Sequence, residues 1–124
     1  MKIRKVFIAC DSTKISRVKE IIKKTNNSQI KIGYKFGLEF LNSKNGRDFL
    51  KRLKNKVIFA DLKLNDIPNT CASTILAIKD LKVDYITIHI SSGLDALKAC
   101  KKVSGKTKLV GVTVLTSLDN LSLR

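Results

Sequence analysis

The chain has 124 residues, 44% hydrophobic and 28% charged, which is typical of one soluble globular domain, and no apolar run reaches the ~18 residues of a membrane helix. The formal net charge of +15 raises the question of a polyanion partner, but the lysines are scattered along the chain and arginine supplies only five of the 25 cations. We therefore expect a solvated, lysine-rich surface that attracts polyanions weakly at low salt, with no specific nucleic-acid site.

The start of the chain predicts a buried strand rather than a secretory leader. Its apolar run, Val6 to Cys10, has five residues and is followed at once by Asp11. A secretory signal needs roughly 7–15 apolar residues. The cysteines are odd in number and no pair has the spacing of a metal site, which is typical of reduced thiols. Both features predict a cytoplasmic protein.

Five β-branched apolar runs recur along the chain, and helix-like segments lie between them. In chain order the runs are KVFIACD near Val6, IKIGYKFG from Ile30, VIFADLKL from Val57, YITIHIS from Tyr85 and LVGVTVLTS from Leu109. The helical segments are ISRVKEIIKK, GRDFLKRLKN, NTCASTILAIKDL and GLDALKACKKV. This alternation predicts a parallel sheet with helices outside it.

Two α/β architectures fit this alternation: an open doubly wound sheet and a closed (β/α)8 TIM barrel. The glycine-rich dinucleotide turn that favours the open sheet is absent after the first strand. Polar residues on all five strands favour the barrel, because barrel enzymes place their chemistry at strand carboxyl ends. A complete barrel needs eight units and at least about 200 residues, so we predict a barrel truncated after the fifth strand. The polar residues are Asp11, Lys31, Asp61, Lys63, His89, Ser91, Thr116 and Ser117.

The third strand begins apolar and ends charged. Alternation predicts that Asp61 and Lys63 share one face, and that Lys31 of the second strand reaches the same mouth. Asp66 follows in the loop, where Pro68 indicates the start of a helix. One interpretation is a structural ion-pair network. The other is a lysine that carboxylates keep protonated, as suits a reaction that builds negative charge on carbon and then needs a proton.

The string FADLKLNDIPNT resembles the signature of the orotidine 5′-phosphate decarboxylase family. IACD, KIG, IHISSG and VTVLTS resemble the ends of the family's first, second, fourth and fifth strands, in the same order over essentially the whole chain. The resemblance implies that residues 1–124 are the N-terminal part of a single barrel domain that decarboxylates orotidine 5′-phosphate to UMP. The D-x-K-x-x-D spacing alone is also typical of sister barrels, the hexulose-phosphate synthases and ketogulonate-phosphate decarboxylases.

The resemblance also implies catalytic roles. Lys63 would protonate C6 of the pyrimidine after carbon dioxide leaves, and Asp61 would lie near the departing carboxylate. Lys31 and Asp66 would complete an alternating chain of lysines and aspartates. His89 is expected to be structural, because a lone histidine at a strand end is more often satisfied by hydrogen bonds.

Substrate binding is implied for the four catalytic residues and for four others. Asp11 would join Lys31 at the ribose hydroxyls, and Thr116 would contact the pyrimidine. Ile67 and Thr70, with Asp66, would reach into the site of the partner subunit, so the resemblance implies a homodimer.

No metal or organic cofactor is implied, in keeping with one histidine and no ligand cluster. The family grips the substrate phosphate with later strands that this chain lacks. Since remote binding energy supports catalysis, we expect the chain alone to turn over little substrate. A non-catalytic remnant and a basic binding module remain alternatives.

Overall fold

The computed structural model describes residues 5–26 and 29–122, so both ends of the predicted 1–124 domain lie outside the described residues. Strands and helices alternate along the chain, as the sequence predicts. Two short 3-10 helices, Lys79–Leu81 and Ile90–Ser92, precede and follow the fourth strand. The elements are β1 (Lys5–Ala9), α1 (Ile15–Thr25), β2 (Lys31–Gly37), α2 (Leu38–Asn42), α3 (Gly46–Arg52), β3 (Val57–Leu64), α4 (Pro68–Ala77), β4 (Tyr85–His89), α5 (Leu94–Ser104) and β5 (Lys108–Val112).

The five strands form one parallel sheet in the order β1-β2-β3-β4-β5. A doubly wound sheet would reverse its strand order at a switch point, and this sheet does not. Each strand instead lies beside its sequence neighbour, which is the winding of a (β/α)8 barrel. All strand carboxyl ends therefore lie at one edge of the sheet, which we call the mouth.

The two faces of the sheet differ in composition, as alternation along each strand requires. On β3, Ile58, Ala60 and Leu62 are buried in the core with the helices. The opposite, inner face carries the aromatic pair Phe7 and Tyr85, whose ring centroids are 5.2 Å apart in an edge-to-face arrangement. The inner face thus has its own apolar layer below the mouth.

The helices form where an apolar stripe meets the sheet. Helix α1 places Val18 in the core, with Ile21 and Ile22 packed against it, as the spacing of these residues predicts. Helix α4 starts at Pro68, which confirms the predicted helix start. Helix α2 was not predicted, because its five residues are too few to show a helical period.

The three cysteines lie in the core of the described residues and are free thiols. Burial, followed by the nearby Asp11 charge, raises the pKa of the Cys10 thiol to about 11. Burial, followed by the neighbouring Cys71, raises the pKa of Cys100 to about 11 as well. Buried cysteines of this kind behave as small apolar side chains.

The prediction that Lys31 lies at the mouth is wrong. Lys31 is the first residue of β2 and pairs with Lys5 at the amino end of the sheet. Asp61 lies opposite Gly37, six residues further along β2, which corresponds to about 20 Å of strand. Strand β2 contains two lysines, Lys31 and Lys35, each two residues before a glycine. The error arose because the first of these lysines was chosen.

The fifth strand ends earlier than its apolar run predicts. Strand β5 stops at Val112, opposite His89, because β4 ends there and offers no further backbone partner. Thr116 and Ser117 therefore lie in a turn beyond the strand, which the hydrogen bond from the Leu118 amide to the Leu115 carbonyl closes (3.0 Å).

Candidate active site

Strand β3 has a bulge where its charged residues begin. It pairs regularly with β4 through Ala60, and pairing resumes only at Leu64. On β4 the matching gap holds the single residue Thr87, so Asp61–Lys63 lies opposite one residue. Bulges of this kind redirect side chains and are common beside active sites.

Asp61 is the centre of a cluster of charges at the mouth. Its Oδ2 accepts hydrogen bonds from Lys63 Nζ (2.7 Å) and Lys35 Nζ (3.1 Å). Its Oδ1 accepts a hydrogen bond from the Thr87 hydroxyl (2.9 Å). The Asp61 side chain is only 11% exposed, whereas that of Lys63 is 43% exposed. A nearly buried carboxylate thus fixes two ammonium groups, one of which faces open space.

These contacts determine the ionisation of Asp61. Burial raises the pKa of this carboxyl, but hydrogen bonds from Lys63, Lys35 and Thr87 outweigh burial and lower the pKa below its usual value. Asp61 is therefore an anion at neutral pH and forms ion pairs with both lysines.

The lowered pKa of Asp61 predicts a loss of stability in acid. The contribution of the charged group is present above the unfolded-state pKa and is lost as the pH falls through the lower, folded-state value, that is, below about pH 4. Urea unfolding should therefore show a gap between the wild type and Asp61→Asn that is largest near neutral pH and closes in acid. Asp95→Asn, which removes an exposed carboxylate outside the cluster, is the control. A gap that is independent of pH would contradict the prediction.

Lys63 has a backbone conformation that side chains rarely adopt. Its φ of 47° lies in the left-handed region, which costs a residue with a side chain on the order of 1–3 kcal/mol. Its amide donates a hydrogen bond to the Thr87 hydroxyl (2.8 Å) instead of to a backbone carbonyl. Strain of this kind persists only where neighbouring groups hold it, and it is concentrated at functional sites.

Asp66, Ile67 and Thr70 lie apart from this cluster, at the start of α4. The Asp66 carboxylate accepts a hydrogen bond from the Ile67 amide (2.7 Å), and no ion pair joins Asp66 to a lysine in residues 5–26 and 29–122. Ile67 is 65% exposed. All three residues are exposed, and among the described residues none is hydrogen-bonded to Asp61.

The loop that carries Asp66 is tied to the loop after β4. Ser92 donates hydrogen bonds from its hydroxyl to the Leu64 carbonyl (3.3 Å) and to Asn65 Oδ1 (3.0 Å). An open groove of about 450 Å³ lies between the two loops, and its lining includes Asp66 and Ser91. These hydrogen bonds thus join the loops after β3 and β4 directly before Asp66.

The remaining predicted residues surround the mouth without touching Asp61. Asp11 is exposed two residues after β1, and it lines a cavity of about 210 Å³ with Gly37 and Glu39. Thr116 is exposed in the turn after β5. His89, the last residue of β4, is buried.

Sequence reasoning missed two members of the cluster, Lys35 and Thr87. Lys35 could have been found from its place in β2, since it precedes Gly37 near the carboxyl end, where barrels place their chemistry. Thr87 shares the inner face with Tyr85 and His89 and is a polar residue in an otherwise apolar run. Neither residue has a spacing that distinguishes it by itself.

Cavity size does not mark the site. A cavity of about 500 Å³ lies on the outside of the sheet between α1 and α3, and it is lined by Ile15, Phe49 and Leu53. The ionised cluster lies at the mouth instead. Among the residues that the structure describes, no group of three metal-binding side chains occurs, and no helix is long and apolar enough to span a bilayer.

Three comparisons place the chain among known proteins. The model of the family described as "Orotidine 5′-phosphate decarboxylase / HUMPS family" matches residues 4–124. A relative from Wolbachia sp. subsp. Brugia malayi (strain TRS), named orotidine 5′-phosphate decarboxylase, is 44% identical over 108 residues, which are 84% of this chain and 48% of that protein. The chain spans about half the length of the curated relatives that it matches.

Solved structures of similar proteins agree with the fold. Orotidine 5′-phosphate decarboxylase from Lactobacillus acidophilus gives a TM-score of 0.84 at 31% identity and covers 97% of this chain and 57% of that one. The Methanocaldococcus jannaschii orotidine 5′-monophosphate decarboxylase complexed with the inhibitor BMP gives a TM-score of 0.75 at 26% identity. The match covers 89% of this chain and 52% of that one. The predicted fold class is confirmed: the five strands correspond to about half of such a barrel.

Proposed function

Because the chain belongs to the orotidine 5′-phosphate decarboxylase / HUMPS family, we propose that the protein carrying it converts orotidine 5′-phosphate to UMP and carbon dioxide. The observation that carries the proposal is the Asp61 carboxylate, held between Lys35 and Lys63 at the mouth. Relatives that bear the decarboxylase name support it further. We also propose that residues 1–124 form the N-terminal part of one barrel domain.

Lys63 is the proton donor in this proposal. When the bond between C6 of the pyrimidine and its carboxylate breaks, the electron pair stays on C6 and carbon dioxide leaves. The Lys63 ammonium then gives a proton to C6 and regains one from water. Asp61, which is nearly buried and charged, holds the ammonium in place by an ion pair (2.7 Å) until that step.

Lys35 has the place that the sequence prediction gave to Lys31. Its ammonium reaches the same oxygen of Asp61 as Lys63 does, so positive and negative charges alternate across the mouth. We propose that Asp11 and Lys35 contact the ribose hydroxyls and that Thr116 contacts the pyrimidine. His89 is proposed to be structural, in keeping with its burial.

The proposed enzyme is a cytoplasmic homodimer in which each subunit completes the site of its partner. Asp66, Ile67 and Thr70 are exposed at the start of α4, and the Asp66 carboxylate accepts a hydrogen bond from the Ile67 amide. The Ile67 side chain is 65% exposed in one subunit, so it is available for contact with a second subunit.

An assay with three substrates tests the proposal. Because the chain spans about half of its relatives, it is joined to the remaining half of the Wolbachia relative, and we call this chimera the completed barrel. We expect it to decarboxylate orotidine 5′-phosphate, with the intact Wolbachia relative as the positive control. Turnover of hexulose phosphate or ketogulonate phosphate instead would favour a sister enzyme. A folded dimer that is inactive on all three would favour a non-catalytic remnant.

Complementation between two inactive variants tests the shared site. Lys63→Ala and Asp66→Ala homodimers of the completed barrel should each be inactive. A mixed dimer has one site that lacks both residues and one that keeps both, if Asp66 acts across the interface. Mixing should therefore restore activity to about one working site per mixed dimer, measured as initial rate against the fraction of mixed dimer. A mixture that stays inactive would place Asp66 in its own subunit's site.

A further inference from the structure

The Thr87 hydroxyl bridges the two ends of the β3 bulge. It accepts a hydrogen bond from the Lys63 amide (2.8 Å) and donates one to Asp61 Oδ1 (2.9 Å). Thr87 is only 4% exposed, so water has little access to replace either bond. One side chain on β4 thus satisfies both a backbone donor and a carboxylate oxygen of β3.

The bulge makes this bridge necessary. Because Asp61–Lys63 lies opposite the single residue Thr87, the Lys63 amide has no backbone partner on β4. An amide without a partner at this partly buried position is unfavourable, and so is the left-handed Lys63 backbone. Both costs are contained when the hydroxyl accepts the amide hydrogen bond.

We propose that Thr87 is a positioning residue, whose hydroxyl holds Lys63 in its left-handed conformation and directs its ammonium and the Asp61 carboxylate toward each other. The hydroxyl has one hydrogen to donate, and Asp61 takes it, so the lone pairs of the oxygen remain for the Lys63 amide. The hydroxyl thus donates to Asp61 and accepts from Lys63. A side chain without a hydroxyl would lose both hydrogen bonds at once.

As a statement about catalysis, this inference rests on the proposed function, but its test needs no turnover. Nuclear magnetic resonance of the 124-residue chain itself reports both hydrogen bonds, through hydrogen exchange of the Lys63 amide and titration of the Asp61 carboxyl carbon. The failure of this inference and the failure of the proposed function are therefore distinguishable.

Thr87→Val removes the hydroxyl and nearly preserves the shape of the side chain. We expect the Lys63 amide to exchange roughly tenfold faster, the effect of losing one hydrogen bond. The Asp61 titration should move to higher pH, because one of its three donors is gone. Thr87→Ser keeps a hydroxyl and should restore both values.

Thr107→Val is the matched control. Thr107 also donates its hydroxyl to an oxygen, the Val83 carbonyl (2.9 Å), at a distance from the mouth. The Thr107→Val variant should reduce the free energy of unfolding by about as much as Thr87→Val does, without moving the Asp61 titration. An Asp61 titration that shifts equally in both variants, or that does not shift in Thr87→Val, would overturn the proposal. If Thr87→Val does not fold, the wild type decides: a Lys63 amide that exchanges as fast as an exposed loop amide overturns it.

Discussion

Replacing Lys63 by alanine in the completed barrel should abolish decarboxylation, with a fall in kcat of roughly 10⁴-fold or more. General acids typically contribute 10²–10⁴-fold, and a preorganised charge adds about 10²–10³-fold. In the proposed mechanism Lys63 supplies both, and its side chain is the more exposed of the two lysines that pair with Asp61 at the mouth. The measurement is the initial rate of loss of orotidine 5′-phosphate.

Two controls separate the chemistry from the fold. Lys98→Ala removes an exposed lysine of α5 and should leave kcat within about threefold, as expected for a surface change. Size-exclusion chromatography should show Lys63→Ala as a dimer, because the side chain lies at the mouth and its hydrogen bond to Asp61 is made within one subunit. A dimer that retains activity without Lys63 would remove this residue from its proposed role.

The second prediction compares two lysines of the same strand. Lys35→Met should lower kcat by roughly 10²-fold, because it removes one of the two cations paired with Asp61 and leaves a nearly buried carboxylate less compensated. Lys31→Met is the matched control, with the same change in charge and volume on β2. It should leave kcat within about threefold, because Lys31 lies at the amino end of the sheet.

Titration of the Asp61 carboxyl group, followed by the NMR signal of its carbon, provides an independent readout for the same two variants. Its pKa should rise in Lys35→Met, since a donor and a neighbouring charge are both lost. It should stay at the wild-type value in Lys31→Met. If instead the pKa of Asp61 rises in Lys31→Met and not in Lys35→Met, Lys31 lies at the mouth. That result would contradict the register between β2 and β3.

Most of the fold could be predicted from the sequence, because the helical period of apolar residues and the alternation of side chains along a strand are local properties of the chain. Strand β3 has the predicted start, and Asp61 and Lys63 lie on it as predicted. The members of the cluster that lie on β3 were found for the same reason. Lys35 was missed because the choice between two lysines of one strand depends on where the strand begins. Strand boundaries are set by pairing with neighbours, which a single sequence does not contain.

Thr87 and the bulge were beyond reach for a further reason. A regular strand would have paired Thr87 with a backbone neighbour, and nothing in YITIHI indicates that three residues of β3 lie opposite it. The left-handed Lys63 is likewise a consequence of pairing between strands rather than of local preference. Local rules fail here at the residues that carry the proposed chemistry, as expected where function is built on strain.

The order of the strands also bears on how the chain acquires its structure during synthesis. Among the described residues each strand pairs with the strands of adjoining units, so the pairings within this five-stranded sheet wait for no distant segment. Loop-closure entropy is paid before non-local contacts form, and it grows with the length of chain between them. We therefore expect β2 to dock on β1, and then β3 on β2, as each unit leaves the ribosome. The Asp61 cluster, which needs β2, β3 and β4, would assemble only once the fourth unit is in place.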